Sequence, residues 1–451
     1  MNFVKKTYLF VTILLGIHLF LLFNLKFTAW PEMLSYPYLR NNGYLLYKDM
    51  IHPYPPVLTM ALSIVYKLFG YKLIALKVFT WLIILVNDAL IFLIAKKITR
   101  KNIFALASLF LYVFVQPFLE GNQLWFDLAI VPFILLGLLF LLNKKYFLSG
   151  LSLGVAILTK QTTGLFLIVW GIFLLIKERK LKPVISLVLG PIILFVVLLT
   201  RLITEGAVTG FFKWTLIYPF TWWSKFPGYV QMVLTKREIA IFGLLFVPLV
   251  LLMFKLKREL FKDSTSILST LCVFVSSVLV YPRFSFFHFQ IELAFISIIF
   301  GLTLSMFKQG KFFYFLCALY LILVTIFVVR PGLRDWGKET RFWGNEEEKM
   351  AEVIKDKTKT GDLIYLLGPQ SGLYVLAGRL PPKPWTDNFA WYLEIPGIQE
   401  EIIKRWDSNK PEMVFTNNIQ EGNWYDLGIY RPQKIVDWIK KEKIKQIVLS
   451  E

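Results

Sequence analysis

Five short stretches hold the side chains whose types suit chemistry. "WPEM" brings Glu32, and "LYKDMIHPYPP" brings Asp49, His52 and Tyr54. "QPFLEGNQLWFDLA" brings Glu120 and Asp127, "GVAILTKQTTGLFL" brings Lys160 and Gln161, and "YPRFSFFHFQIELA" brings Arg283, His288 and Glu292. Carboxylates of this kind take the proton from an attacking hydroxyl or amine. A lysine with no acidic neighbour in sequence suits a phosphate as a point charge, and an arginine suits it as a planar fork. Each residue also has a plainer reading. Asp127 opens an apolar run, where a carboxylate is favoured by a helix N-terminus. Lys160 is able to snorkel to an interface, Arg283 lies among interfacial aromatics, and the prolines of "HPYPP" make a stiff connector.

The elements that must position these residues are membrane helices. Of 451 residues, 56% are hydrophobic and the mean hydropathy is +0.59, above the ~45–50% apolar content of soluble domains. Eleven candidate spans are read at 7–25, 72–95, 103–119, 123–142, 146–159, 162–176, 183–203, 239–254, 264–281, 289–307 and 312–330. The segments 146–159 and 162–176 are short enough to form a broken pair. The first run follows a basic start and lacks a small-residue cleavage site, so it reads as an uncleaved span. Cys272 and Cys317 both fall inside apolar runs and offer neither a disulfide framework nor a metal site.

The net charge of +20 would suggest nucleic acid in a soluble chain. Here the cations recur in every second loop: Lys5 and Lys6; Lys96, Lys97, Arg100 and Lys101; Lys144 and Lys145; Lys177, Arg179, Lys180 and Lys182; Lys255, Lys257, Arg258 and Lys262; Lys308 and Lys311. That alternation marks cytoplasmic loops, and it implies the lipid bilayer as partner and no nucleic acid. The expectation is a multi-pass protein of the cell membrane, with a cytoplasmic N-terminus and an extracytoplasmic tail. All the residues singled out above but Glu292, which falls a turn inside the next helix, then lie in the outer segments, which are 26–71, 120–127, 160–161, 204–238 and 281–288. Residues 57–70 read as an amphipathic helix on the bilayer surface. "FFKWTLIYPFTWWSKFPGY", with nine aromatics in nineteen residues, reads as a headgroup belt or as the wall of a groove for a lipid tail or a sugar.

Beyond Arg330 the composition changes. "NEEEKMAEVIKDKT" reads as a helix and "GDLIYLLG" as a strand, and two further helix–strand pairs end at "IKQIVLSE". This alternation predicts a small α/β domain with a parallel sheet. The expected domains are 1–330, membrane-embedded, and 331–451, extracytoplasmic. "GRLPPKPWTDNFAW" reads as a loop able to fold back over the membrane face.

The stretches taken in order resemble the GT-C membrane glycosyltransferases, in the branch of protein O-mannosyltransferases and aminoarabinose transferases. The resemblance covers roughly residues 1–330 and rests on the first-loop acid, "GYLLYKDMIHPYPP", "WFDLA", "GLSLGVAILTKQ" and "YPRF". It implies transfer of a sugar, with inversion, from a polyprenyl-phosphate donor to a lipid, glycan or protein acceptor at the outer face. The family's first-loop acid is typically Asp; here that place falls to Glu32, and Asp49 stays open as the alternative base. Asp127 matches the family's second acid, and Lys160 and Arg283 match positions that hold the lipid phosphate, with His288 beside them. His52, Tyr54 and Gln161 would line the substrate cleft. No cofactor is implied, because the leaving group is already a phosphate ester; a divalent metal stays open. Two other classes compete. A transporter or flippase for a lipid-linked glycan would show internal repeats and mid-span polar residues, and a non-catalytic scaffold would not gather acids and cations on one face.

Overall fold

The computed structural model describes residues 2–256, 264–308, 310–419 and 428–449. Lys257, Arg258 and Lys262, of the fifth basic loop, lie outside the described residues. The principal helices up to the middle of the chain are α1 (Asn2–Asn24), α2 (Glu32–Asn41), α3 (Val57–Phe69), α4 (Leu73–Thr99), α5 (Asn102–Val115), α6 (Phe126–Leu142), α7 (Tyr146–Ile157), α8 (Gly164–Glu178) and α9 (Leu181–Glu205). There follow α10 (Lys236–Leu256), α11 (Ser264–Leu279), α12 (Gln290–Met306) and α13 (Lys311–Val324). A helix thus stands at each of the eleven expected segments. Seven helical stretches among the described residues are long and apolar enough to cross a membrane, while Asn102–Phe118, Phe126–Leu142, Tyr146–Ile157 and Ser264–Leu279 are shorter. The protein is a multi-pass helical membrane protein.

The chain divides into two compact units. The first comprises Met1–Phe27, Lys77–Val196 and Gln231–Lys338. Its axis is α12, which is buried at every position from Gln290 to Thr303. An apolar helix without a polar stripe suits a position surrounded by other helices. Small residues set the close crossings, as they do where lipid supplies no hydrophobic drive for helices to associate. A Cβ at Gly150 of α7 would lie 1.9 Å from the Leu187 carbonyl oxygen of α9, and one at Gly190 would lie 2.2 Å from the Leu151 nitrogen. The α6–α7 pair is pinned by Ser149 Oγ donating to Gly137 O at 2.8 Å and Ser152 Oγ donating to Phe133 O at 2.7 Å.

The second unit comprises Thr28–Leu76, Val197–Val230 and Glu339–Glu451. Its sheet has three parallel strands, β1 (Ile364–Leu367), β2 (Met413–Thr416) and β3 (Lys445–Val448), in the order β1-β2-β3. Ile364 pairs with Met413, which pairs with Lys445. Helix α14 (Asn345–Lys357) precedes β1, α15 (Gly372–Ala377) and α16 (Ile398–Trp406) lie in the crossover from β1 to β2, and α17 (Gln433–Lys441) in that from β2 to β3, as parallel strands require. The stretch just before the stiff "HPYPP" turn and the loop around Trp385 meet in this unit through the backbone: Ile51 N–H donates to Trp385 O and Trp385 N–H to Asp49 O, each at 2.9 Å.

Candidate functional site

The first unit brings together three of the residues singled out in the sequence. Asp127 stands in the first turn of α6, fully buried. Lys160 Nζ donates to its Oδ1 at 2.6 Å, and His288 Nδ1 meets its Oδ2 at 2.8 Å. The lysine reaches the carboxylate because the chain breaks between α7 and α8. Lys160 is extended, with φ −144° and ψ 112°, and its carbonyl accepts from Thr163 Oγ1 at 2.8 Å as the next turn begins. The cation that lacks an acidic neighbour in sequence therefore has one 33 residues away. Each carboxylate oxygen takes one charge-assisted donor, which a buried carboxylate needs. His288 is the most exposed member, its side chain 15% accessible against 0% for Asp127.

Two clips hold the segment that carries His288. Glu120, at a left-handed φ of 51°, accepts from Phe287 N–H at 3.1 Å and from Ser285 Oγ. Gln290 Nε2 donates to Leu119 O and to Phe286 O, each at 3.0 Å. Behind Gln290 runs a buried polar chain. Gln116 Nε2 donates to Gln290 Oε1 at 3.1 Å and to Gly121 O at 2.9 Å, so its Oε1 is left to accept from His18 Nε2 at 3.1 Å. The other ring nitrogen of His18 meets Asp88 Oδ2 at 2.8 Å. His18 and Asp88 are both fully buried. A histidine inside the first apolar run and an aspartate inside the second were the available sequence signal, since ionisable residues within spans rarely lack a partner. Glu292 lies in the first turn of α12, buried, with Ser277 Oγ donating to it.

The second unit holds the other candidates. Glu32 opens α2 and is 8% exposed, and its Oε2 is buried without a hydrogen-bond partner. Its carboxyl is pushed well above the usual range, chiefly by burial and then by the charge of Asp387. Asp387 is also raised by burial, although hydrogen bonds from Ser371 and Tyr36 oppose the rise. Sequence reasoning passed over Asp387. Its signal was an acid inside "PWTDNFAW", a loop read only as able to fold back. Asp49 accepts from Leu45 N–H at 3.1 Å and pairs with Lys383 at 3.2 Å and Arg405 at 3.5 Å. His52 is fully buried between Tyr54 O at 2.6 Å and Thr59 Oγ1 at 2.8 Å. Burial drives it down to about 4, so it stays neutral, its Nδ1–H donating to Tyr54 O. Its imidazole thereby fixes the "HPYPP" turn.

Arg283 lies five residues before His288 in a strand-like stretch where Phe284 N–H donates to Gln231 O at 2.8 Å. Gln161 begins the turn Gln161–Thr163 that follows Lys160. Among the described residues no group of three or more His, Cys, Asp or Glu side chains is placed to hold a metal ion.

A family model described as dolichyl-phosphate-mannose-protein mannosyltransferase matches residues 52–203. That is about a third of the chain, and it includes Asp127 and Lys160. No curated protein sequence matches. Among solved structures, the chain is similar to ArnT from Cupriavidus metallidurans in the apo state, with 14% identity, a TM-score of 0.53, and coverage of 90% of this chain and 89% of that one. It is also similar to the apo oligosaccharyltransferase of Archaeoglobus fulgidus, with 10% identity, a TM-score of 0.54, and coverage of 83% of this chain. The oligosaccharyltransferase AglB of the same organism, in complex with an inhibitory peptide and a dolichol-phosphate, gives the same identity, TM-score and coverage. This chain spans 64% of the archaeal protein, less than two thirds of its length. The likeness is one of fold: the chain has the GT-C membrane glycosyltransferase fold that its motifs implied.

Proposed function

We propose that the protein is an inverting glycosyltransferase that moves a sugar from a polyprenyl-phosphate carrier to a lipid, glycan or protein acceptor at the outer face of a cell membrane. The observation that carries this reading is the buried Asp127 carboxylate with Lys160 and His288 on its two oxygens, at the ends of apolar helices. The mannosyltransferase family match, which includes Asp127 and Lys160, and the dolichol-phosphate bound in the AglB structure support the donor class. All eleven apolar helices cross the bilayer in this reading, the shorter ones extended by their adjoining turns.

The acceptor's hydroxyl or amine attacks the anomeric carbon as the bond from that carbon to the phosphate oxygen breaks. The electron pair leaves with the phosphate, and Lys160, Arg283 and His288 stabilise the charge it gains. The acceptor's proton passes to Glu32, with Asp49 the alternative. Asp127 orients the acceptor, with Gln161 as a further substrate contact. Attack from the face opposite the phosphate inverts the sugar.

The test uses purified protein in nanodiscs with labelled polyprenyl-phosphate sugars, following both sugar transfer and release of polyprenyl phosphate. Glu32→Gln should lower turnover by roughly 10²–10⁴, the usual worth of a general base, and Asp49→Asn should leave it near wild type. The reverse result moves the base to Asp49. Lys160→Met and Arg283→Gln should lose turnover and donor binding while the protein still folds. A sugar that crosses the bilayer still bonded to its carrier would overturn the reading and establish a transporter for a lipid-linked glycan.

A further inference from the structure

A pocket of about 160 Å³ lies in the second unit, among the last turn of α2, the turn that follows it, α3, and residues 198–205 of α9. Its charges do not balance. Arg40, Lys67 and Arg201 face it, with Glu205 the one acid in its lining. Arg201 Nε donates to Glu205 Oε1 at 2.8 Å, but one of its terminal nitrogens is left against Met60 Sδ at 3.5 Å. A thioether is a weak acceptor for a guanidinium. Among the described residues nothing hydrogen-bonds or ion-pairs with the guanidinium of Arg40. It is half-buried, and burial first and then the like charge of Arg201 disfavour its charged form, outweighing the opposing pull of Glu205. Removing a charge from water is costly unless a counter-charge or hydrogen bonds offset it, so the pocket is short of an anion.

The rest of the lining says what else the ligand carries. Leu198, Leu202 and Met60 make an apolar wall beside the cations. On α3, Ile64, Leu68 and Phe69 are 58%, 72% and 65% exposed, the kind of face that enters the headgroup layer. Basic pockets against such helices take anionic headgroups.

We propose that this pocket binds a phosphate ester, its oxygens bridging Arg40 and the terminal N–H groups of Arg201, with the apolar part of the ligand lying along Leu198 and Leu202. The two guanidinium forks match phosphate geometry, and Lys67 adds a point charge at the exposed rim. The site uses none of the residues assigned to the sugar donor, and its test does not involve sugar transfer.

Native mass spectrometry of the full chain, released from nanodiscs of phosphatidylcholine with phosphatidylglycerol, counts the anionic lipid retained. Thermal unfolding in the same discs reads its stabilising effect. The wild type should retain phosphatidylglycerol and melt higher than in phosphatidylcholine alone. Arg40→Gln should retain about tenfold less, in line with the loss of one charge-assisted pair. Arg40→Lys, which keeps the charge and loses the fork, should fall between them. Should Arg40→Gln fail to fold, Lys67→Gln at the rim tests the same charge in a position that touches no core. If inorganic phosphate added to phosphatidylcholine discs raises the melting point of the wild type and not of Arg40→Gln, the ligand is a soluble phosphate ester rather than a lipid. Equal phosphatidylglycerol retention by wild type and variants, with no Arg40-dependent effect of inorganic phosphate, overturns the proposal.

Discussion

Two carboxylates in this protein solve the problem of burial in opposite ways. Asp127 is given a partner on each oxygen, the Lys160 ammonium on Oδ1 and the His288 ring on Oδ2, so its negative charge is compensated where it stands. Glu32 is given none: its Oε2 has no hydrogen-bond partner, and the charge that acts on it is that of another carboxylate, Asp387. A carboxyl in that setting holds its proton until the solution becomes basic. That behaviour suits a group that must pick up a proton near neutral pH and lose it again. The sign of the pH dependence follows. The carboxyl rises from an ordinary 4.5 to about 8 on folding. Protonated Glu32 therefore favours the folded state, and that contribution is complete below pH 4.5 and is lost as pH rises through about 8. Asp387, raised to about 6, adds a smaller loss of the same sign at lower pH. Melting temperature should fall between these limits in the wild type and fall less in Glu32→Gln. Turnover should move the other way, rising with pH as Glu32 becomes able to accept a proton. Asp387→Asn removes the opposing charge and should shift that rise to lower pH, without itself abolishing transfer. A pH profile that is the same in wild type and Asp387→Asn would show that the two carboxyls do not sense each other.

At the scale of elements, the residues that act are placed by helices that stop early. α7 ends at Ile157, and Lys160 follows in extended backbone; α6 begins at Phe126 with Asp127 in its first turn. The sequence shows both ends, because an acid and a lysine each interrupt an apolar run. It also shows the tail's alternation of helix and strand, which appears as β1, β2 and β3 in parallel order. It does not show which interruptions meet. Asp127 and Lys160 are separated by two helices, and only the α6–α7 hairpin, with Ser149 and Ser152 bonded across it, brings them to 2.6 Å. The pairing of Glu32 with Asp387 was illegible for the same reason, since more than three hundred residues lie between them. The glycines of "GLSLG" belong to this scale as well. The resemblance made them a motif, and the structure gives them a steric reason, because at Gly150 the Leu187 carbonyl fills the place of a Cβ. Gly150→Leu should therefore force α7 away from α9, costing about 1–3 kcal/mol as overpacking usually does. It should also lower turnover by moving the break that presents Lys160. Unfolding in denaturant and the transfer assay read the two effects. A variant that is stable and fully active would show that α7 tolerates displacement and that Lys160 is positioned from elsewhere.

At the scale of the molecule, the open question is how the chain threads the bilayer, and the charges and the helices bear on it differently. The charges argue for alternation: cations in every second loop, in register from Lys5 to Lys311. The helices add a constraint of length. α11 has 16 residues, so it reaches about 24 Å against a hydrocarbon layer of about 30 Å. Between the basic loop at Arg179 and the tail lie α9, α10, α11, α12 and α13, five helices if all of them cross. An odd number puts Arg179 and the tail on opposite sides, and the loss of α11 alone would put them on the same side. Single cysteines at Arg179 and at Lys359, both exposed, decide between these threadings once the half-exposed Cys317 is replaced by serine. An impermeant maleimide applied to intact cells should modify Lys359→Cys at once and Arg179→Cys only after the membrane is permeabilised. Modification of both from outside removes one crossing, and α11 is then the helix to examine, since a short helix spans only where its neighbours or the lipid thin the barrier. Modification of Arg179→Cys alone inverts the molecule. The outer-face reaction would then fall, while the charge cluster at Asp127 would remain as the site of transfer from a donor on the cytoplasmic side.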